Sequence, residues 1–414
     1  MTGNTTIKLD SSCTIRSMEY SVQNPHIGDA EEDYLLFDMK DVTYIEVPAI
    51  IFMIAFIYKK RSDGKEIKIK LPEHLKVRNI IRYFRLPDVL LALTGRDFRD
   101  IVMPENFHYF GETRNQKGDY RSFQQKKYPD YNSFADAIAN KNIHIYSDLR
   151  QFKTPIEKIN SCENVLSDWN CSAMEMFLKT YLQSEDNNKE RLVPNRIIYE
   201  GITNSQRHSK ADWLMVAFMV KKEGKEGINE KFDISFWDNG DSIIKTLKNT
   251  LAEGRIIRNE DFSMDAIQSS FYVKYENNKF NKKTIDSDTD VDEFKDDDGL
   301  LLLSSFFPGI SEFPKGDDGY SGSPYIPKDS PLKNPGMGLT ILLNAAIDLL
   351  GGEVSVRAEN YFLHIKKPED KTVKKYEAEK VKYSKFYEVK IENCGEDIPF
   401  NGNMLTIRLP LKEK

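Results

Sequence analysis

The sequence predicts an α/β (α+β) chain built as two folded units joined by a connector. Three observations point there. Strand-like and helix-like segments alternate between about residues 34 and 90. Past residue 190, an amphipathic helix pattern is followed by a period-two strand that ends in a Gly-containing turn and a further helix. The length of 414 residues, with 40% hydrophobic content, is enough for two or three cores.

The first unit spans residues 1–105. Tyr34–Met39 followed by Val42–Ile45 reads as a buried strand and turn. Pro48–Tyr58 is a continuous apolar helix, and Pro48 suits a helix start. Glu66–Leu71 alternates as a strand, Val77–Phe84 reads as a helix, and Leu86–Leu90 follows. Residues 106–190 form the connector. Asn106–Tyr131 is aromatic and basic with little period, while Tyr131–Asn140 and Ser161–Gln183 read as helices. The second of these carries Val165, Trp169, Met176, Phe177 and Tyr181, a stripe best read as core packing.

The second unit spans residues 191–414. In the run Val193–His208, Glu200, Asn204 and His208 recur every four residues and would share one helix face. A carboxylate can deprotonate water, an amide oxygen can ligate a hard cation, and an imidazole can reach a phosphate. Phe232–Asp238 reads as a strand delivering Asp238 into the turn Asn239-Gly240-Asp241. A carboxylate at the end of a buried strand needs a partner, and the exocyclic amine of a purine is a suitable one. Asn334–Leu339, containing Gly336 and Gly338, runs into the apolar helix Thr340–Leu350. Glycines ahead of a helix let backbone N–H groups approach an anion.

These three elements, in this order, resemble the ATP-binding boxes of the GHKL superfamily, which includes gyrase B, heat-shock ATPase chaperones, histidine kinases and the anti-sigma-factor serine kinases. The stretch from Glu200 to Ala211 is most similar to the histidine-kinase and anti-sigma branch, and Gly351–Ala358 and Met404–Leu411 resemble the family's closing strands. The resemblance implies a Bergerat-type α/β sandwich binding ATP and magnesium. It implies that Glu200 polarises the attacking water or hydroxyl and that Asn204 binds the metal. By the same resemblance Asp238 reads adenine with Gly240 beside the base, Gly336 and Gly338 cradle phosphates, and His208 touches a phosphate. Ser242 departs from the family's D-x-G-x-G box. It either caps the helix starting at Ile243 or remodels the purine pocket. A second departure is the span of about 244–335, read as a long lid insertion. Its acidic run Asp286–Asp298 and its Gly/Pro/Asp-rich stretch Pro314–Pro335 read as mobile, with the apolar helix Gly299–Phe307 between them. Asp286, Asp288 and Asp290 have the spacing that opens a calcium loop. Val291 and Asp297 stand where glycine and glutamate belong, so solvated charge is the better reading.

The first unit, over about residues 30–95, is similar to a STAS domain on the phrase Phe37–Glu46. Phosphorylated members carry a serine where this chain has Val47, Pro48 and Ala49, so the usual acceptor hydroxyl is missing. Of the upstream histidines His26, His74, His108 and His144, none sits in an H-E or H-D helix phrase, which disfavours histidine-kinase activity.

Net charge is -6, giving no electrostatic reason to expect nucleic acid or an acidic membrane surface. The lysine patches at Lys59-Lys60-Arg61, Lys126-Lys127 and Lys366–Lys385 are broken by acidic residues. Cys13, Cys162, Cys171 and Cys394 lack zinc or redox spacing and read as reduced thiols. The opening residues carry no basic-then-apolar signal, and Pro48–Tyr58 is too short to span a bilayer. The expectation is a cytoplasmic, ATP-binding regulatory protein, a slow magnesium-dependent ATPase coupled to a protein partner or to self-association, such as a homodimer. A serine/threonine kinase acting on a separate protein and a non-catalytic nucleotide sensor are the alternatives.

Overall fold

A computed structural model describes residues 5–27, 34–106, 145–151, 193–208, 210–221, 231–254, 257–258, 267–275, 282–311, 336–369, 371, 382–395 and 400–411. Helices and sheets are mixed throughout, as an α/β chain requires. The chain divides into two compact units. One comprises Met1–Leu149 with Ala217–Met219 and Asp397–Asn401. The other comprises Arg150–Val216, Val220–Glu396 and Gly402–Lys414. The connector helices expected at Tyr131–Asn140 and Ser161–Gln183 lie outside the described residues, as do His108, His144, Cys162, Cys171 and the stretch Pro314–Pro335.

In the first unit, strands β1 (Thr5–Lys8), β3 (His26–Ile27), β4 (Tyr34–Asp38) and β6 (Glu66–Lys70) form a sheet in the order β3-β1-β4-β6. Strands β1, β4 and β6 are parallel. The short strands β2 (Ser12–Cys13) and β5 (Tyr44–Ile45) pair separately. Helix α2 (Val47–Ser62) is buried without a break from Val47 to Ile57, which explains why it reads as apolar on every side. Val47, Pro48 and Ala49 form its first turn. Helix α1 (Ile15–Gln23) was not anticipated. A reciprocal capping box starts it, with Thr14 Oγ1 accepting from Ser17 N at 3.2 Å and Ser17 Oγ accepting from Thr14 N at 2.9 Å. Helices α3 (Leu75–Tyr83), α4 (Leu86–Thr94) and α5 (Phe98–Ile101) follow β6. Strand β7 (Ile145–Gln151) comes next in sequence.

The second unit is organised on a large sheet. Its strands are β8 (Trp213–Lys221), β9 (Lys231–Asp238), β11 (Ser269–Tyr275), β12 (Lys282–Asp286), β14 (Glu353–Glu359), β15 (Tyr361–Lys366), β16 (Lys385–Asn393) and β17 (Phe400–Pro410). They lie in the order β12-β11-β16-β15-β14-β17-β9-β8. Pairing is antiparallel between β14 and β15 and between β17 and β9, whereas β11 runs parallel to β16. Among the described residues, the helices that accompany the sheet are α6 (Val193–His208), α7 (Ile243–Ala252), α8 (Asp298–Ser304) and α9 (Gly338–Leu343). Two further strands, β10 (Ile257–Arg258) and β13 (Ile310–Ser311), pair with each other.

Two expectations fail here. The span 244–335 is not simply a lid, because β11 and β12 belong to the main sheet and the leucines of α8 are buried. Nor is Asp286–Asp298 a loose run, because its carboxylates act as caps and partners. Asp286 accepts from Ser270 Oγ at 2.5 Å and Asp288 pairs with Lys382 and Tyr383. Asp290 caps the 3₁₀ turn Val291–Phe294, and Asp297 accepts from Leu300 N at 3.0 Å to cap α8. A charge run looks disordered by composition alone, but here Asp286, Asp288, Asp290 and Asp297 each satisfy backbone or side-chain donors. The helix expected over Thr340–Leu350 is α-helical only to Leu343, and Asn344–Leu349 continues it as a π-helix.

Candidate functional site

Helix α6 carries Glu200 and Asn204 one turn apart. Thr203 Oγ1 donates back to Tyr199 O at 2.8 Å, so the polar side chain between them is used up within the helix. Glu200 is 1% exposed. Asn204 Nδ2 is buried with no hydrogen-bond partner among the described residues. Both side chains face the start of α9. A β-carbon on Gly338 would meet Asn204 Oδ1 at 2.8 Å and Glu200 Oε2 at 3.0 Å, so only glycine leaves the two polar groups in place. His208 is the last residue of α6, and its side chain lies outside the described structure.

Asp238 closes β9 and is 3% exposed. Its Oδ1 accepts from Gly240 N at 3.1 Å and from Asn403 Nδ2 at 3.1 Å. Asn403 lies opposite Asp238 in the β17–β9 register. Its second amide hydrogen goes to Asp241 O at 3.0 Å, and its Oδ1 accepts from Ile243 N at 2.8 Å. One amide thus staples the whole turn between β9 and α7. Next to it, Gly402 has φ +83°, and a β-carbon there would lie 1.7 Å from Asp238 O. Ser242 caps α7, accepting from Lys245 N at 2.9 Å. The capping reading of Ser242 therefore holds in the geometry.

These elements enclose one cleft, entirely within the second unit. Glu200, Asn204, Gly336 and Gly338 line one part and Asp238, Asp241, Thr246 and Asn403 another. Phe236, Ile243, Leu247, Val356 and Leu405 supply the apolar surface. The open space is about 1100 Å³, a figure that includes solvent beyond the mouth. Gly240 does not line the cleft; its N–H is directed to Asp238 instead. Gly336 joins the rim through its carbonyl, which accepts from Gly309 N at 3.2 Å. Thr340 Oγ1 donates to Phe306 O at 3.0 Å, fixing the start of α9 against the turn after α8. Chemically the cleft combines an apolar slot, a buried carboxylate acceptor, a second buried carboxylate and an unsatisfied amide. Such a set can hold a flat base with an amine edge and activate water near an anion.

Sequence reasoning missed Gly402, Asn403 and Glu359. The Asn401-Gly402 dipeptide ahead of the alternating strand was a turn signal pointing to the first two. Nothing local marks Glu359, which reaches Ser242 across the sheet. Comparison with protein-family models, curated proteins and solved structures found no match. Among the described residues, no helix is long and apolar enough to cross a membrane.

Proposed function

We propose that this cleft binds ATP with magnesium and hydrolyses it slowly, the role that the resemblance to the GHKL superfamily implies. The observation that carries the reading is the meeting of Gly338 with both Glu200 and Asn204, in the same cleft that Asp238 lines. Asp238 accepts from the exocyclic amine of adenine, with the base lying against Ile243, Leu247, Val356 and Leu405. Backbone N–H groups at the start of α9 face the phosphates, and Glu200 accepts a proton from the attacking water. The donor set fits a hydrated magnesium ion, which takes few protein ligands; Asn204 Oδ1 would hold it. When bound, the metal neutralises phosphate charge. With Ser242 occupied as a helix cap, the argument for a narrowed base pocket loses its support.

The test is magnesium-dependent ATP binding and hydrolysis by the full chain beside Glu200→Ala and Asp238→Ala. The reading expects hydrolysis lost and binding retained in Glu200→Ala, and binding lost in Asp238→Ala. Binding without turnover in every form would replace the ATPase with a nucleotide sensor. Transfer of labelled phosphate to a partner's hydroxyl would replace it with a protein kinase. Absence of ATP binding by the wild-type chain would overturn the assignment. Coupling to a protein partner or to a second copy of the chain belongs to the same proposal. It is checked by the oligomeric state with and without nucleotide.

A further inference from the structure

Glu359 ends β14 in the left-handed region, φ 46°, where a non-glycine residue is uncommon. Its carboxylate accepts a hydrogen bond from Ser242 Oγ, 117 residues away in sequence. The turn that carries it is held from beneath by Arg357, fully buried, whose guanidinium donates to Glu359 O and, at 3.3 Å, to Tyr361 O. Backbone in this conformation persists where the surroundings over-determine it, and such positions concentrate at sites where geometry matters.

Ser242 has one hydroxyl hydrogen and two lone pairs. Its hydrogen goes to Glu359, and a lone pair accepts from Lys245 N at 2.9 Å. Donation to a carboxylate polarises the hydroxyl and fixes its rotor, so the same oxygen becomes a better and better-aimed acceptor for the helix start. That first turn matters because Ile243, Thr246 and Leu247 line the cleft, and Ile243 N is also held by Asn403 Oδ1 at 2.8 Å. Neither Ser242 nor Glu359 lines the cleft.

We propose that Glu359 is a positioning residue that sets nucleotide affinity by orienting Ser242, and through it the first turn of α7 against the bound base. The inference rests on the nucleotide-site reading above. It adds that affinity depends on a carboxylate that never touches the ligand. Loss of Glu359 loosens the wall against the base and leaves Glu200 and Asn204 on their own helix.

The experiment compares wild type, Glu359→Gln, Glu359→Gly and Ser242→Ala in the full chain. It measures ATP and ADP dissociation constants, KM and kcat, and amide hydrogen exchange over residues 243–250. Glu359→Gly removes the carboxylate yet suits the left-handed backbone, so it separates loss of the latch from failure to fold. The expected result is a dissociation constant and KM raised about tenfold in Glu359→Gly and Ser242→Ala, since losing a cap-type bond is of that order. kcat should stay within about threefold, exchange at the start of α7 should quicken, and Glu359→Gln, which keeps an acceptor oxygen, should recover most of the affinity. Unchanged affinity in a folded Glu359→Gly, beside a wild type that binds ATP, overturns this inference alone. A fall in kcat at constant KM overturns it as well. A wild type that binds neither nucleotide overturns the site reading and this inference together.

Discussion

Gly338 and Asn204 are in direct contact across the cleft: a β-carbon on Gly338 would stand 2.8 Å from Asn204 Oδ1 and 3.1 Å from its Nδ2. The glycine is there because α9 begins against the polar face of α6, where any side chain would push both catalytic candidates aside. Gly338→Ala should therefore lower ATP turnover by about a hundredfold, the scale of a misplacement near 1 Å in a reacting site. Thermal melting should shift by only a few degrees. Steady-state hydrolysis and a melting curve on the same sample check this; an unaltered rate would mean that Asn204 and Glu200 do no chemistry here.

Gly402 poses a different demand, because its β-carbon would collide with backbone rather than with movable side chains. Gly402→Ala combines a φ of +83° with a 1.7 Å approach to Asp238 O. A destabilisation of about 3 kcal/mol is expected, from strain and displaced strand pairing together. Urea unfolding measures it, and a loss below about 1 kcal/mol would contradict the tight β17–β9 register.

Asp233 and Arg408 form a bidentate pair across β9 and β17, at 2.9 and 3.3 Å, with the Asp233 side chain 1% exposed and that of Arg408 27%. Removing only the cation leaves a buried carboxylate without its main partner. Arg408→Met should cost about 3 kcal/mol, and Asp233→Leu combined with Arg408→Met should recover most of it. A double-mutant cycle by denaturant unfolding checks the coupling, and nucleotide affinity serves as the control that should not move.

Cys13 is buried, and burial, helped by Glu46 and Asp10, pushes its thiol from 9.0 up to about 12. The folded protein thus keeps the proton over a pH range in which the unfolded chain releases it. The unfolded state binds fewer protons there, so stability is full below about pH 9 and falls as pH rises towards 12. The slope contributed by this one group approaches about 1.4 kcal/mol per pH unit. Unfolding of Cys13→Ala and wild type between pH 8 and 11 would reveal the difference, and peptide mapping after alkylation at pH 8 should find Cys13 unmodified while the protein is folded.

What the sequence made legible was local. Glu200 and Asn204 are one helical turn apart, Asp238 ends an alternating run, and Gly336 and Gly338 precede an apolar helix. Each could be read from spacing within a dozen residues, and the cleft gathers five of the seven candidate residues named from sequence: Glu200, Asn204, Asp238, Gly336 and Gly338. What was hidden depends on register. Asn403 meets Asp238 only because β17 pairs with β9, and Glu359 meets Ser242 only because β14 lies in the same sheet. Strand register over more than a hundred residues leaves no local period. The acidic run misled for the opposite reason. Asp290 and Asp297 look like solvated charge in composition, whereas at a helix start the same residue is the preferred cap.

The position of β17 bears on when the cleft can exist at all. This strand lies between β14 and β9, inside the sheet rather than at its edge, and it brings Gly402, Asn403 and Leu405 to the site. During synthesis, strand β9 emerges about 170 residues before its partner β17, and helix α6 earlier still; contacts at such separation form late. A nascent chain that stops short of residue 400 would carry Glu200, Asn204 and Asp238 but lack the Asn403 amide that ties Asp238 to Asp241 and Ile243. The walls of the cleft are therefore complete only once residues 400–410 have been made, and until then the edge of β9 that faces β17 waits for its partner.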